Sequence, residues 1–306
     1  MSDGASQDRQ NHLPADRDAP GVTSARRRFN VDWGALTHRG RVRENNEDCF
    51  FLGVFDRMLQ PVLTNLLQTV APCWHYESGY VVVVADGMGG EVGGEVASHT
   101  AVSTLLDLAV DTPDWIMRYD EASFVDEVTR RIEERMRQVD EVLQEIGRSD
   151  PKLAGLGTTI TALALLPPHA VVAHVGDSRA YLLRNGQLRQ LTRDHTMAQH
   201  MVDAGLIDPA DVASHPARSV LTRAAGHGGG LLTVDVHRLH LAHGDQVLLC
   251  SDGLTGMLGD DDIAQVLAGA PAAATACKTL VSMALDRGGH DNVTVVLGHV
   301  VELPFR

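Results

Sequence analysis

Three aspartates of this chain each lie at one end of an apolar stretch that is typical of a buried strand. Asp86 follows a run of four valines, Asp252 follows a second apolar run, and Asp291 comes just before a third. Carboxylate oxygens are ligands that Mg²⁺ and Mn²⁺ prefer. If folding brings the three strand ends together, the sequence predicts a site for divalent metal ions.

Glycine and arginine complete this pattern. Gly87 follows Asp86 directly, so its bare backbone could approach a ligand and offer its carbonyl oxygen to a metal ion. Arg43 lies five residues before Asp48 and presents a planar fork that suits a phosphate dianion. Two divalent ions that share a carboxylate can activate water for an in-line displacement at phosphorus. Each residue alone is more typical of a turn or a solvated surface, and only the set favours phosphate chemistry.

The elements that must position these residues do not alternate regularly between strand and helix, so a parallel βαβ sheet is not indicated. Apolar residues predict helices over about 94–110, 121–146, 260–267 and 271–285. The dipeptide Asn185-Gly186 predicts a hairpin between two strands. The pattern favours an α+β sandwich with largely antiparallel sheets.

Composition divides the chain into a tail and one domain. Residues 1–28 are polar and have no apolar period, which is typical of a disordered tail. Residues 29–303 are interpreted as one domain, with an irregular insertion at 55–78 and a surface flap at about 194–230. The histidines have no metal-binding spacing and are interpreted as surface or packing residues.

The composition argues against several classes of partner and location. The net charge of −14 argues against nucleic acid and anionic membranes as main partners. The four cysteines have no zinc or redox spacing and are more typical of a reducing compartment than of a disulfide scaffold. No apolar run is long enough to span a bilayer, and the N-terminus does not have the pattern of a signal peptide. We therefore expect a cytoplasmic protein without a membrane span.

Six short motifs follow one another in an order that is far more specific than any one of them. The motifs are Asn46-Glu47-Asp48 with Arg43 before it, Asp86-Gly87-Met88-Gly89-Gly90, Gly157-Thr158-Thr159, Gly176-Asp177-Ser178-Arg179, Ser251-Asp252-Gly253 and Asp291-Asn292. Over about residues 31–301, the set resembles the metal-dependent type-2C (PPM family) serine/threonine protein phosphatases in their bacterial form.

The resemblance implies a four-layer α-β-β-α sandwich of two antiparallel sheets flanked by helices, and a centre that holds a pair of Mn²⁺ or Mg²⁺ ions. Asp86 would contact both ions, and the carbonyl of Gly87 would bind one of them. Asp252 and Asp291 would hold the other ion. Arg43 would bind the phosphate of the substrate.

The resemblance also implies how the remaining residues act. Glu47 and Asp48 would act mainly through water molecules, and Asp48 would count with Arg43 among the catalytic residues. A water molecule that bridges the two ions would attack phosphoserine or phosphothreonine directly, without a phospho-enzyme. The partners would be phosphorylated proteins and a bacterial serine/threonine kinase that the phosphatase opposes.

Two positions depart from the family pattern. Met88 stands where eukaryotic relatives often have a histidine, and methionine cannot donate a proton to the leaving group. Bacterial relatives often bind a third ion, for which Asp194 is a matching metal ligand. Lys152 stands where the other aspartate ligand of that ion is expected, with Asp150 nearby. The third ion is therefore left open.

Two other classes of function are open to this sequence. A nucleotide-binding enzyme would also have a strand that runs into a glycine-rich turn, but Val92 stands where the third glycine of that fingerprint belongs. A catalytically silent phosphatase-like module would bind phosphoproteins without turnover. The complete set of expected ligands for two metal ions argues against such a module.

Overall fold

Two antiparallel sheets pack face to face at the centre of the protein. The computed structural model describes residues 28–57, 77–111, 121–166, 168–227 and 230–303. Within these ranges helices cover the outer face of each sheet, so the predicted four-layer α-β-β-α sandwich is confirmed. No helix in these ranges is both long and apolar enough to cross a membrane.

The first sheet combines strands from distant parts of the chain. The strands are β1 (Arg28–His38), β7 (Arg179–Arg184), β8 (Gln187–Gln190), β10 (Gln246–Cys250) and β11 (Val293–Leu303). Their order across the sheet is β1-β11-β10-β7-β8. Asn185 has a positive φ of 54° in the tight turn between β7 and β8, so the predicted hairpin is present.

The second sheet follows the order of the chain. Its strands are β2 (Asp48–Arg57), β3 (Glu77–Met88), β5 (Ile160–Leu166), β6 (His169–Val175) and β9 (Asp235–His240), in that order across the sheet. The short strand β4 (Gly157–Thr158) pairs with the end of β3. The sequence predicts one strand over 158–166, and the structure divides it at Thr159, whose N–H donates to the carbonyl of Asp86.

The four-valine run of β3 is buried on both faces of its sheet. Successive side chains of a strand point to opposite faces. Val82 and Val84 join the apolar core between the two sheets, whereas Val83 and Ala85 join the core beneath the helices. The run is therefore continuously apolar, because neither face of this strand meets water.

Helices form the two outer layers. α1 (Gly90–Asp111) and α2 (Glu121–Ser149) lie on the second sheet, and α3 (Met197–Asp203) follows β8 in the predicted flap. α4 (Asp252–Thr255), α5 (Asp260–Gly269) and α6 (Ala273–Asp286) lie on the first sheet.

Several predicted boundaries differ from those in the structure. α1 begins at Gly90 rather than near residue 94, because packing against β3 overrides the low helix propensity of its glycines. Most of the predicted tail and of the insertion at 55–78 lies outside the described residues. The division of the chain into tail, domain and flap stays a prediction.

Candidate metal centre

Both sheets end at one edge of the sandwich, and acidic side chains from both meet there. Asp48, at the start of β2, is the cross-strand partner of Asp86 near the end of β3. Asp252 opens α4 just after β10, and its charge is close enough to Asp48 and Asp86 to raise the pKa values of both carboxyls. A side chain placed on Gly253 would lie 3.4 Å from the Cβ of Asp291. The structure thus brings Asp86, Asp252 and Asp291 to the same edge.

Asp48 connects the two sheets at this edge. Its Oδ2 accepts hydrogen bonds from Ser251 Oγ at 2.7 Å and from Thr294 Oγ1 at 2.7 Å, and both donors belong to the first sheet or its end. Its Oδ1 is buried without a hydrogen-bond partner in the described residues. Burial chiefly, with repulsion from Asp252 and Asp291, raises the pKa of Asp48 to about 7 from an ordinary 3.8. The free oxygen suits a cation or a bound water molecule.

The main chain at Asp86 is held by the Gly-Thr-Thr motif. The N–H of Asp86 donates to Thr159 Oγ1 at 2.9 Å. The carbonyl of Asp86 accepts from the N–H of Thr159 and from Thr158 Oγ1, both at 2.9 Å. The end of β3 is therefore fixed by hydrogen bonds to the main chain of Asp86, and these bonds do not use its carboxylate.

Two glycines allow the loops of the site to approach closely. A Cβ on Gly87 would lie 1.9 Å from the carbonyl oxygen of Gly94 in α1. A Cβ on Gly253 would lie 1.9 Å from the carbonyl oxygen of Asn292. Because real Cβ atoms do not come so close to backbone oxygens, both positions require glycine. The glycine beside each aspartate therefore serves packing, whether or not its carbonyl binds a metal ion.

Asn292 organises the loop that carries Arg43. Its Nδ2 donates to the carbonyls of Arg39 at 2.9 Å and Asn45 at 2.8 Å. Its Oδ1 accepts from the N–H of Glu47 at 2.7 Å. The side chain is buried and uses its hydrogen-bonding groups on this loop alone. The sequence identified Asn292 only as the neighbour of Asp291, so this role was missed.

Sequence reasoning also missed the two hydroxyls that bind Asp48. In the sequence Ser251 appears only as part of a motif, and Thr294 is one polar residue inside an apolar strand. The N–H of Thr294 donates to Ser251 Oγ at 2.9 Å, so the two residues form one small network. A polar residue inside an otherwise apolar strand near the predicted site was the available signal.

Arginines bind two of the predicted metal ligands. Arg43 Nη2 donates to Asp291 Oδ2 at 2.7 Å. Arg179 donates three hydrogen bonds of 2.7–3.1 Å to the carboxylate of Asp194, which also accepts from Gln190 at 3.0 Å. Each arginine neutralises a carboxylate that would otherwise add to the negative charge of the site.

Two other predicted residues have defined positions. Glu47 lies beside the N-terminal part of α1, where a Cβ on Gly94 would meet its carboxylate at 2.6–2.9 Å. Burial raises the pKa of Glu47, although Arg43 opposes this. Lys152 is exposed, and its N–H donates to Asp150 Oδ1 at 2.9 Å as a helix cap. One carboxylate oxygen of Asp150 is thus used as a local cap.

The crowding of carboxylates fits divalent cations. Burial and mutual repulsion raise the pKa of Asp86 well above its usual range, and they raise the pKa values of Asp177 and Asp252 as well. A divalent cation would relieve this repulsion and accept the same oxygens as ligands. As they stand, the described residues contain no cluster of three or more acidic, histidine or cysteine side chains that could already enclose a metal ion. Asp291 and Asp194 are bound to arginines instead.

Known proteins with related sequences are bacterial phosphatases. Residues 69–287 match the family model described as Protein phosphatase 2C. The chain is 36% identical over 277 residues to serine/threonine protein phosphatase PstP of Mycobacterium tuberculosis, covering 89% of this chain and 46% of PstP. It therefore spans about half the length of that relative. It is 33% identical over 261 residues to serine/threonine phosphatase stp of Listeria monocytogenes, covering 85% and 92% of the two chains.

Solved structures give the same result. The catalytic domain of PstP in complex with two manganese ions superposes with a TM-score of 0.69 at 31% identity, covering 90% of this chain and 100% of that one. The Streptococcus agalactiae serine/threonine phosphatase superposes with a TM-score of 0.71 at 31% identity, covering 88% and 99%. The sequence match and the shared architecture lead to one conclusion: this chain belongs to the protein phosphatase 2C family.

Proposed function

We propose that this protein is a metal-dependent serine/threonine protein phosphatase that hydrolyses phosphoserine and phosphothreonine in proteins. The observation that carries the proposal is the meeting of Asp48, Asp86 and Asp252 at one edge of the sandwich, where their pKa values are all raised. Relatives that bear the name serine/threonine phosphatase cover most of this chain. PstP, one of them, has been crystallised with two manganese ions.

In this proposal, four groups hold a pair of Mn²⁺ or Mg²⁺ ions: the carboxylates of Asp86, Asp252 and Asp291 and the carbonyl of Gly87. When bound, such ions supply activation of water and neutralisation of the charge that develops on phosphate oxygens. Asp194 is the candidate ligand for a third ion. Its bidentate contact with Arg179 would have to loosen before it could serve that purpose.

The protein's own residues supply orientation and charge. Arg43 is the proposed phosphate-binding residue, and its fork suits carboxylate and phosphate alike. Arg43 contacts Asp291 at 2.7 Å, and if Asp291 held a cation, the fork of Arg43 would be available to the substrate. Glu47 and Asp48 orient water and hold the surrounding loops, and the free Oδ1 of Asp48 is the acceptor available for such water.

The proposed partners are phosphorylated proteins and a serine/threonine kinase that this phosphatase opposes. The names of the relatives support phosphorylated proteins as substrates. A kinase is required to phosphorylate any such protein. A cytoplasmic location fits the free cysteines, of which Cys250 and Cys277 are buried. A catalytically silent binding module is the alternative, and the preserved carboxylates disfavour it.

The experiment that tests the function is phosphate release from phosphoserine and phosphothreonine peptides, with Mn²⁺ or with excess EDTA. We expect turnover only with the metal, and loss of turnover in Asp252→Asn because the ligand charge is removed. Asp261→Asn, an exposed aspartate of α5, is the matched control and should keep wild-type activity. Turnover that is equal in EDTA would contradict the metal-dependent mechanism. Binding of Mn²⁺ without turnover would favour the silent module.

A further inference from the structure

A chain of hydrogen bonds leads from the predicted flap to the turn after β6. Arg223 Nη1 donates to Asp235 Oδ1 at 2.9 Å, and His195 Nε2 lies 3.0 Å from Asp235 Oδ2. His195 Nδ1 accepts from the N–H of Gly176 at 3.0 Å. Because Nδ1 is an acceptor here, Nε2 carries the proton and donates it to Asp235.

His195 holds Gly176 from two directions. Besides the contact to its ring, the main-chain N–H of His195 donates to the carbonyl of Gly176 at 2.7 Å. Gly176 has a φ of +112°, which side chains rarely allow, and it precedes Asp177. The ring and the backbone of His195 thus fix the turn that carries Asp177, one of the aspartates whose pKa is raised at the candidate metal centre.

The same turn packs against the residue that holds Asp86. A Cβ on Gly176 would lie 2.5 Å from the Cβ of Thr159. Thr159 Oγ1 lies 2.8 Å from Ser178 Oγ and accepts from the N–H of Asp86 at 2.9 Å. A continuous path of hydrogen bonds and close packing therefore runs from His195 to Asp86.

We propose that His195, oriented by Asp235 and Arg223, is a positioning residue for the carboxylate cluster, and that its loss weakens the binding of divalent cations. The proposal rests on the proposed function, because it concerns the same site. His195 is only 3% exposed, follows Asp194 in the chain and contacts the turn at Gly176, so it acts on Asp86 through Gly176 and Thr159. Partners that orient metal ligands commonly change metal affinity by about tenfold or more.

The test is the Mn²⁺ dissociation constant, measured by calorimetry on the whole chain. We expect His195→Phe and Asp235→Ala to raise this constant about tenfold, because each removes the hydrogen bond between residues 195 and 235. His195→Asn should give an intermediate constant, since the oxygen of asparagine can replace Nδ1 as the acceptor for Gly176 but the shorter side chain does not reach Asp235. His195→Phe and Asp235→Ala should also lower kcat for phosphoserine peptides more than they change KM.

A matched control distinguishes an effect on metal binding from a general effect on stability. Asp245 accepts hydrogen bonds from Arg184 at 2.6 and 2.9 Å before the start of β10, at the end of that strand away from Asp252. Asp245→Asn should lower Tm and leave the Mn²⁺ constant unchanged. If folded Asp235→Ala binds Mn²⁺ within twofold of wild type, the positioning role is overturned, whether or not His195→Phe folds. If the wild type itself binds no Mn²⁺, the proposed function falls as well.

Discussion

At the scale of single residues, Asp48 is a buried acid whose protonation is tied to folding. Burial raises its pKa to about 7 from 3.8, so the folded protein favours the protonated form more than the unfolded chain does. The contribution of Asp48 to the free energy of unfolding is therefore fully present below pH 3.8 and is lost as the pH rises towards 7. A bound cation reverses the preference, because it stabilises the ionised carboxylates.

We therefore predict that in EDTA the Tm of the wild type falls as the pH rises from about 4 to about 7, in the window set by Asp48. Asp48→Asn removes one of the titrating carboxyls and should make this part of the curve less steep. The measurement is thermal unfolding across the pH range, with and without Mn²⁺. Equal slopes in the two proteins would show that Asp48 does not control this window.

Arg43 is the second residue with a distinct expected effect. Replacing it by alanine removes a fork that can donate to phosphate, so KM for phosphoserine peptides should rise by roughly ten- to a hundredfold. Arg43→Lys keeps the charge without the fork, so its KM should lie between those of the wild type and of Arg43→Ala. Arg41→Ala is the control, since Arg41 is exposed and pairs with Asp286 at 3.1 Å. A fall in kcat alone, with KM unchanged, would assign Arg43 to another step.

At the scale of elements, the short helix α4 depends on close contact with the residue before β11. Gly253→Ala would drive a methyl group into the carbonyl of Asn292, which lies 1.9 Å from the Cβ position. We expect a loss of stability on the order of 1–3 kcal/mol and weaker Mn²⁺ binding, because Asp252 must shift with its neighbour.

Gly269→Ala is the control for this substitution. Gly269 lies at the end of α5, and no heavy atom comes within 4 Å of a Cβ placed on it. Alanine there should leave stability unchanged or raise it slightly, since it reduces the freedom of the unfolded chain. Urea unfolding of both variants decides the matter. Equal stability of the two would show that α4 adjusts without cost.

The strand ends were predictable from the sequence because each aspartate borders an apolar run. The role of the Thr294 hydroxyl was not predictable, because it depends on Asp48, which lies in a strand of the other sheet. No local pattern predicts which strands will face one another across a sandwich. For the same reason the sequence predicted the fold class and the hairpin at Asn185, but not the division of β4 from β5.

At the scale of the whole molecule, cation binding and folding are linked. Cations that bind the folded state alone add about 2.7 kcal/mol of stability at a hundred times their dissociation constant. For a domain of this size that corresponds to a rise in Tm of roughly 5–10 °C. We expect this rise in the wild type on adding Mn²⁺, and little rise in Asp252→Asn. A similar rise in both proteins would indicate binding elsewhere.

The hydrogen bonds from Ser251 and Thr294 to Asp48 have a consequence for the whole sandwich. Asp48 and Asp86 belong to strands of the second sheet, whereas Asp252 and Asp291 lie next to the ends of strands of the first sheet. The proposed ligands of the cation pair are therefore divided between the two sheets. Any motion that slides the two β-layers past each other would change the spacing of these oxygens, so the rigidity of the interface between the layers sets the geometry available for chemistry.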